Sequence, residues 1–142
     1  MKESTIQCHV ADYLKLQYPK VLFHSDYGSG IRLTPGQART QYRQNGGRRA
    51  WPDMFIAQPR TVVRFGDKYH YAGLFIELKK DGTRILKRDG TLVSDTHIRE
   101  QAALLNELER RGYMAVFAVG FDQAKSIIDE YLGKPKQEIV EF

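Results

Sequence analysis

The chain has 142 residues, 42% of them hydrophobic and 27% charged, and its 22 Lys and Arg outweigh 17 Asp and Glu to give a formal charge of +5. That length suits one domain burying roughly 68–70% of its unfolded surface, and the composition argues against both global disorder and a disulfide-stapled scaffold. The positive balance favours a polyanionic partner. Cys8 is the only cysteine. It can form neither an internal disulfide nor a zinc knuckle, so it is expected to be a buried apolar residue in a reducing cytosol. Met1 to Gln7 hold no apolar signal core and no stretch is long enough to span a bilayer, so a cytoplasmic chain without membrane contact is expected.

Ile6, Val10, Tyr13, Leu14 and Gln17 recur at helical spacing behind Ser4 or Thr5, either of which could cap, and predict a helix over 4–17 that ends before Pro19. Val21 to His24 suit a short strand, and Ser25 to Gly30 a loop. From Tyr27 to Trp51 the composition changes. Arg32, Arg39, Arg43, Arg48 and Arg49 share this stretch with Gly36, Gly46 and Gly47, and it contains no Asp or Glu, which predicts a flexible basic loop.

Met54 to Ala57 form a compact apolar run, and Thr61 to Phe65 pair with Tyr69 to Tyr71 across Gly66-Asp67-Lys68 as a hairpin. Its second arm is expected to run on through Gly73 to Lys79 as one strand. Asp81-Gly82 and Asp89-Gly90 mark turns in a basic insertion. Ile98, Ala102, Leu105 and Leu108 then define an amphipathic helix ending at Gly112, with Ser94, Asp95 and Thr96 competing to cap it. Tyr113 to Val119 read as a buried strand. A last helix covers about 121–132 and stops at Gly133 and Pro135.

Chemistry enters with Glu77 and Lys79, two charges in a strand otherwise built from Leu74, Phe75, Ile76 and Leu78. Residues two apart share a strand face, so both project together. Burying them without partners costs several kcal/mol, which points to use rather than accident, although an ion pair at a solvated strand end is the plainer alternative. Asp53, after Pro52, opens another apolar strand and sets a second carboxylate at a strand end. Two such carboxylates repel unless a cation lies between them, and Mg²⁺ favours oxygen donors of this kind. Lys79 is then placed to orient a water attacking a phosphodiester and to offset charge on the phosphorane. Gln101 falls on the apolar stripe of its helix, an unusual position for an amide that has nothing to bond.

Pro52-Asp53, a hairpin, and then Glu77-Leu78-Lys79 in an apolar strand resemble the bipartite motif of the PD-(D/E)XK nucleases. The small size and following helix resemble the VRR-NUC domain of viral, phage and DNA-repair nucleases. The resemblance spans residues 3–132. It implies an α/β fold, a single restriction-endonuclease-like domain over 1–142 with an αβββαβ core and a central mixed sheet flanked by helices, the basic loop 27–51 being inserted before the Asp53 strand. It implies Mg²⁺, with Mn²⁺ able to substitute, on Asp53, Glu77 and the Leu78 carbonyl, and Gln101 as an organiser of the site. An acid on the first helix completes the metal shell in similar proteins. Glu3 fits that role and equally fits a favourable first-turn charge against the helix dipole.

His9, His24, His70 and His97 show no metal spacing and are read as structural or surface residues. Arg32, Arg39, Arg43, Arg48, Arg49 and Lys80 suit phosphates, and Tyr27, Tyr42 and Trp51 could stack on unpaired bases. The implied activity is a homodimeric DNA endonuclease acting on branched DNA, similar to Holliday-junction resolvases or flap-cutting enzymes. The alternative is a DNA-binding accessory protein on a nuclease scaffold. An unrelated α/β enzyme for acidic metabolites finds no phosphate loop or nucleophile elbow in this chain.

Overall fold

The computed structural model describes residues 1–26 and 32–133. Tyr27, at the start of the basic segment, and Pro135, expected to end the last helix, lie outside the described residues. In chain order the elements are α1 (Glu3–Gln17), β1 (Phe23–Ser25), α2 (Pro35–Gln44), β2 (Met54–Ile56), β3 (Arg60–Arg64), β4 (Asp67–Tyr71), β5 (Leu74–Lys79), α3 (Thr96–Arg110), β6 (Met114–Val119) and α4 (Phe121–Leu132). With α2 and the β3–β4 pair set aside, this is the expected αβββαβ order followed by a closing helix.

The main sheet runs β1-β2-β5-β6. Its first two junctions are antiparallel and the β5–β6 junction is parallel, so the sheet is mixed. Parallel neighbours need a crossover connection, which α3 supplies. Side-chain alternation divides the sheet into two unequal faces. Met54, Ile56, Leu74, Ile76 and Leu78 point to one face, where Ile6, Val10 and Leu14 of α1 meet Ala124, Ile128 and Tyr131 of α4. Each fully buried Val, Leu, Ile or Met among them contributes roughly 1.5–3 kcal/mol. Phe75 points to the other face, into a smaller cluster with Leu104, Leu105 and Leu108 of α3 and Ala115 of β6. Glu77 and Lys79 continue the Phe75 row, beyond the edge of that cluster.

The structure corrects several sequence expectations. α1 opens at Glu3 with Lys2 as its N-cap and no side-chain capping bond, so Ser4 and Thr5 sit inside the first turn. Cys8 is exposed, not buried. The buried stripe of α1 is Ile6, Val10 and Leu14, and a residue two places from Ile6 lies about 200° around the helix from it. The basic segment holds a helix, α2, where a flexible loop was expected. Thr34 accepts the Gln37 N–H while the Gln37 side chain accepts the Thr34 N–H, and Pro35 occupies the first turn. That reciprocal cap supplies the nucleation that a stretch with no apolar face cannot draw from packing.

The hairpin is also different. β3 and β4 form a separate two-stranded sheet, and its turn is Phe65-Gly66, both in left-handed conformation at φ 52° and 81°. β4 does not run on into β5. The chain steps from one sheet to the other at Ala72 and Gly73, and a Cβ on Gly73 would lie 2.6 Å from the Phe55 ring and 2.8 Å from the Ile56 carbonyl oxygen. The turns at Gly82 and Gly90 and the ends of α3, β6 and α4 agree with expectation. No helix among the described residues is long and apolar enough to cross a membrane.

Gly73 therefore sets the passage from hairpin to site strand. Gly73→Ala is expected to lower stability by about 2–3 kcal/mol, as overpacking against backbone does. Urea unfolding of the two proteins checks this, and a loss within the experimental scatter would show that the close approach relaxes freely.

Candidate active site

β2 and β5 pair with Met54 opposite Ile76. One place further along the same register Asp53 stands opposite Glu77, on the α3 face. Both carboxylates are nearly buried, at 6% and 4% exposure, as are Lys79 at 6% and Gln101 at 5%. These four are the buried polar and charged side chains among the described residues. The predicted quartet therefore converges at one end of the sheet.

Each member is held by identifiable bonds. Asp53 Oδ2 accepts the Leu78 N–H at 2.7 Å. Its backbone carbonyl accepts the Asp26 N–H at 2.8 Å, which ties it to the end of β1. Gln7 of α1 donates to Ser25 Oγ at 3.0 Å and to the carbonyls of Asp26 and Asp53 at 3.1 and 3.4 Å, pinning the ends of β1 and β2 together. Gln101 Nε2 donates to Glu77 Oε1 at 2.7 Å, and Lys79 Nζ lies 3.9 Å from the same oxygen. Asp95 caps α3 by accepting the Ile98 N–H, which decides among the three competing caps and fixes the register that turns Gln101 inward.

Two residues of the site escaped the sequence reading. His97 Nε2 is 3.1 Å from Gln101 Nε2, so the amide donates to both His97 and Glu77 and is held in one orientation. The signal was present as the i, i+4 spacing of His97 and Gln101 on one helix face. Asp26 joins the site because it extends β1 opposite Asp53, which a reading of 25–30 as loop hides.

Glu3, Asp26, Asp53 and Glu77 line a cleft of about 620 Å³ together with Arg39, Tyr42, Arg48, Arg49 and Trp51 of the basic segment. Arg32, Arg43 and Lys80 are exposed but do not line it. Glu3 thus faces the site. However, among the described residues no group of three or more His, Cys, Asp and Glu is arranged to hold a metal ion by side chains alone.

A divalent cation fits what the remaining donors provide. Glu77 Oε2 and Gln101 Oε1 are buried with no hydrogen-bond partner, and both are oxygen acceptors. Once Glu77 is ionised, facing Asp53 does not satisfy it, because two carboxylates hold no donor between them. Lys79 and Gly73 direct their carbonyls to Gly120 and Met114, on the β6 side. In a parallel ladder the intervening residues point the other way, so the Leu78 carbonyl turns to the Asp53 side. Two carboxylates and one carbonyl are a hard-oxygen set suited to Mg²⁺ completed by water.

The chain is similar to a solved structure described as a "VRR_NUC domain protein", at 24% identity and a TM-score of 0.59, over 93% of this chain and 88% of that one. At this identity the likeness shows the fold. No protein-family model matches the chain, and no curated protein matches it.

Burial and the facing charge of Asp53 push the Glu77 carboxyl up to about 9, and Lys79 opposes the shift without cancelling it. In metal-free protein, then, folded Glu77 keeps a proton that the unfolded chain releases. Stability is greatest on the acid side and falls as pH rises from the ordinary carboxylate range toward 9. Glu77→Gln should remove this slope. In EDTA at pH 8 its Tm is expected to exceed the parent's by on the order of 5 °C, with the gap closing near pH 5. A lower Tm for the variant at pH 8 would contradict the assignment of strain to this carboxylate.

Proposed function

We propose that the chain is a metal-dependent DNA endonuclease that hydrolyses phosphodiester bonds, structure-specific for branched DNA of Holliday-junction or flap type, and that two copies act as a homodimer. The observation that carries the reading is the buried Asp53–Glu77 pair, with Lys79 beside it, sharing one cleft with Arg39, Arg48 and Arg49. Asp53, Glu77 and the Leu78 carbonyl would hold Mg²⁺, with Mn²⁺ able to substitute, and the bound ion supplies polarisation of a phosphoryl oxygen and of water.

The residues of the chain divide the remaining work. Lys79 Nζ orients the attacking water in line with the phosphate and offsets charge that gathers on its oxygens. Gln101 Oε1, with no partner inside the protein, accepts a hydrogen bond from that water, and His97 holds the amide in the orientation this requires. Glu3 sits close enough to raise the Glu77 carboxyl and supports the cation's charge from a distance. Arg39, Arg48 and Arg49 grip phosphates on either side of the cut.

Cleavage of a panel of junction, flap, single-stranded and duplex DNAs in Mg²⁺ tests the reading, with the oligomeric state measured alongside. Asp53→Ala, Glu77→Ala and Lys79→Ala are each expected to lower the rate by about 10³ or more, while the two carboxylate variants keep DNA binding in Ca²⁺. Metal-dependent cleavage that persists in Asp53→Ala or Glu77→Ala would overturn the assignment. Binding by the parent protein with no cutting of any substrate would favour the accessory-protein alternative.

A further inference from the structure

The wall of the cleft carries more than phosphate-binding charge. Trp51 is 39% exposed and Tyr42 44% exposed, large aromatic surfaces open to solvent beside a site whose acidic floor is almost covered. The two rings are held differently. Arg49 stacks over Tyr42, its Cζ 5.0 Å from the ring centroid, and the tyrosine hydroxyl abuts Gly47, whose added Cβ would come within 3.5 Å of it. Trp51 leans on Phe75 at 6.4 Å and 48°, and Phe75 stacks on Phe55 at 4.4 Å. Phe75 lies two residues before Glu77 on the same strand face, so the indole is fastened to the strand that carries the acid.

The backbone is bent to achieve this placement. Ala50, immediately before Trp51, adopts φ 65°, a left-handed conformation that non-glycine residues avoid. Trp51 remains 39% exposed after that bend. Strain of this kind at a cleft, with an exposed aromatic as its product, points to a ligand that the ring meets.

We propose that Trp51, with Tyr42 and Arg49 beside it, is a subsite for an unstacked nucleobase next to the phosphate that is cut. The proposal rests on the nuclease reading above for the position of that phosphate. A B-form duplex carries its phosphates on the outside of a stiff cylinder with its bases stacked inward, and such a cylinder cannot offer the indole an open base face. A strand with one base turned out can do so. Its phosphate enters between floor and wall, and its base lies on the indole, an interaction open to every base because each has a π-face. The subsite therefore selects DNA by its unpaired nucleotides, at flaps, frayed ends and the crossing points of branches, and carries little sequence information.

Trp51 is the only tryptophan in the chain, so its emission reports the contact directly. The full chain is titrated in Ca²⁺, which supports binding without cutting, with three fluorescein-labelled DNAs: an oligothymidine, the same backbone made abasic, and a blunt duplex of equal length. Anisotropy follows binding and indole emission follows stacking. The oligothymidine is expected to quench Trp51, whereas the abasic strand and the duplex leave its emission unchanged at saturation. Trp51→Ala should weaken oligothymidine binding about tenfold, with Trp51→Phe within about threefold of the parent and the abasic strand indifferent to both changes. Equal quenching by duplex or abasic strand, saturation by oligothymidine without quenching, or no binding at all would each overturn the subsite. The two readings part cleanly in Mg²⁺: cutting without quenching removes only the base subsite, and quenching without cutting removes only the nuclease.

Discussion

Asp53 and Glu77 face one another across adjacent strands, where directly opposed side chains lie about 5 Å apart and like charges repel. When both are ionised at that distance, with an effective dielectric constant near 20, the repulsion costs about 3 kcal/mol, before the loss of solvent around two nearly buried carboxylates is counted. The end of the sheet is organised around holding this pair in place. The Leu78 N–H bonds Asp53, the Gln101 amide bonds Glu77, Lys79 sets a positive charge beside it, and Gln7 of α1 fastens the strand ends from outside the sheet. Remove the pair, and the strained and unsatisfied polar atoms here lose their reason to exist.

The unequal faces of the sheet explain how so costly an arrangement is tolerated. The face packed by α1 and α4 carries the large apolar cluster and most of the folding free energy. On the α3 face the apolar cluster is small and ends at Phe75 and Phe117, leaving the final residues of β5 outside it. Polar side chains there displace little core. The β3–β4 hairpin sits at the opposite end of β2 and β5, where Arg64 bonds Glu109 at 2.9 Å near the end of α3, so it steadies the fold without crowding the site.

What the sequence made legible follows the same division. Alternation and helical periodicity are strong where a segment is buried on one face, so α1, β5, α3, β6 and α4 could be read from their apolar residues. Glu77 and Lys79 stood out because they break such a pattern. α2 was hidden for the converse reason, since it buries no residue and its only signature is the Thr34–Gln37 cap. Cys8 misled because a residue type with a strong preference for burial was placed without regard to the helical stripe. Gln7 and Asp26 act through strand ends, and their partners lie 18 to 46 residues away, where no local pattern reaches. Gln101 was legible as an amide on an apolar stripe, whereas His97, exposed one turn earlier, broke no rule.

The two sides of the cleft make opposite demands on the protein, and they are placed on segments of opposite character. On the proposed reading, a floor of carboxylates would repel the phosphates of a nucleic acid, so a basic surface must lie within a Debye length of it, about 8 Å at physiological salt, to reverse the sign of the field an incoming strand meets. The buried carboxylates of the floor are carried by the sheet. The arginines of the wall need water around them, because a guanidinium drawn into the core would pair with the floor and neutralise both. A segment that contributes nothing to the apolar core satisfies that demand: α2 and the turn after it hold Arg39, Arg48 and Arg49 at the cleft by local bonds alone, the capping box at one end and Gly46 and Gly47 in left-handed conformation at the other. The poverty of packing that hid this helix in the sequence is the property that lets it serve as the wall.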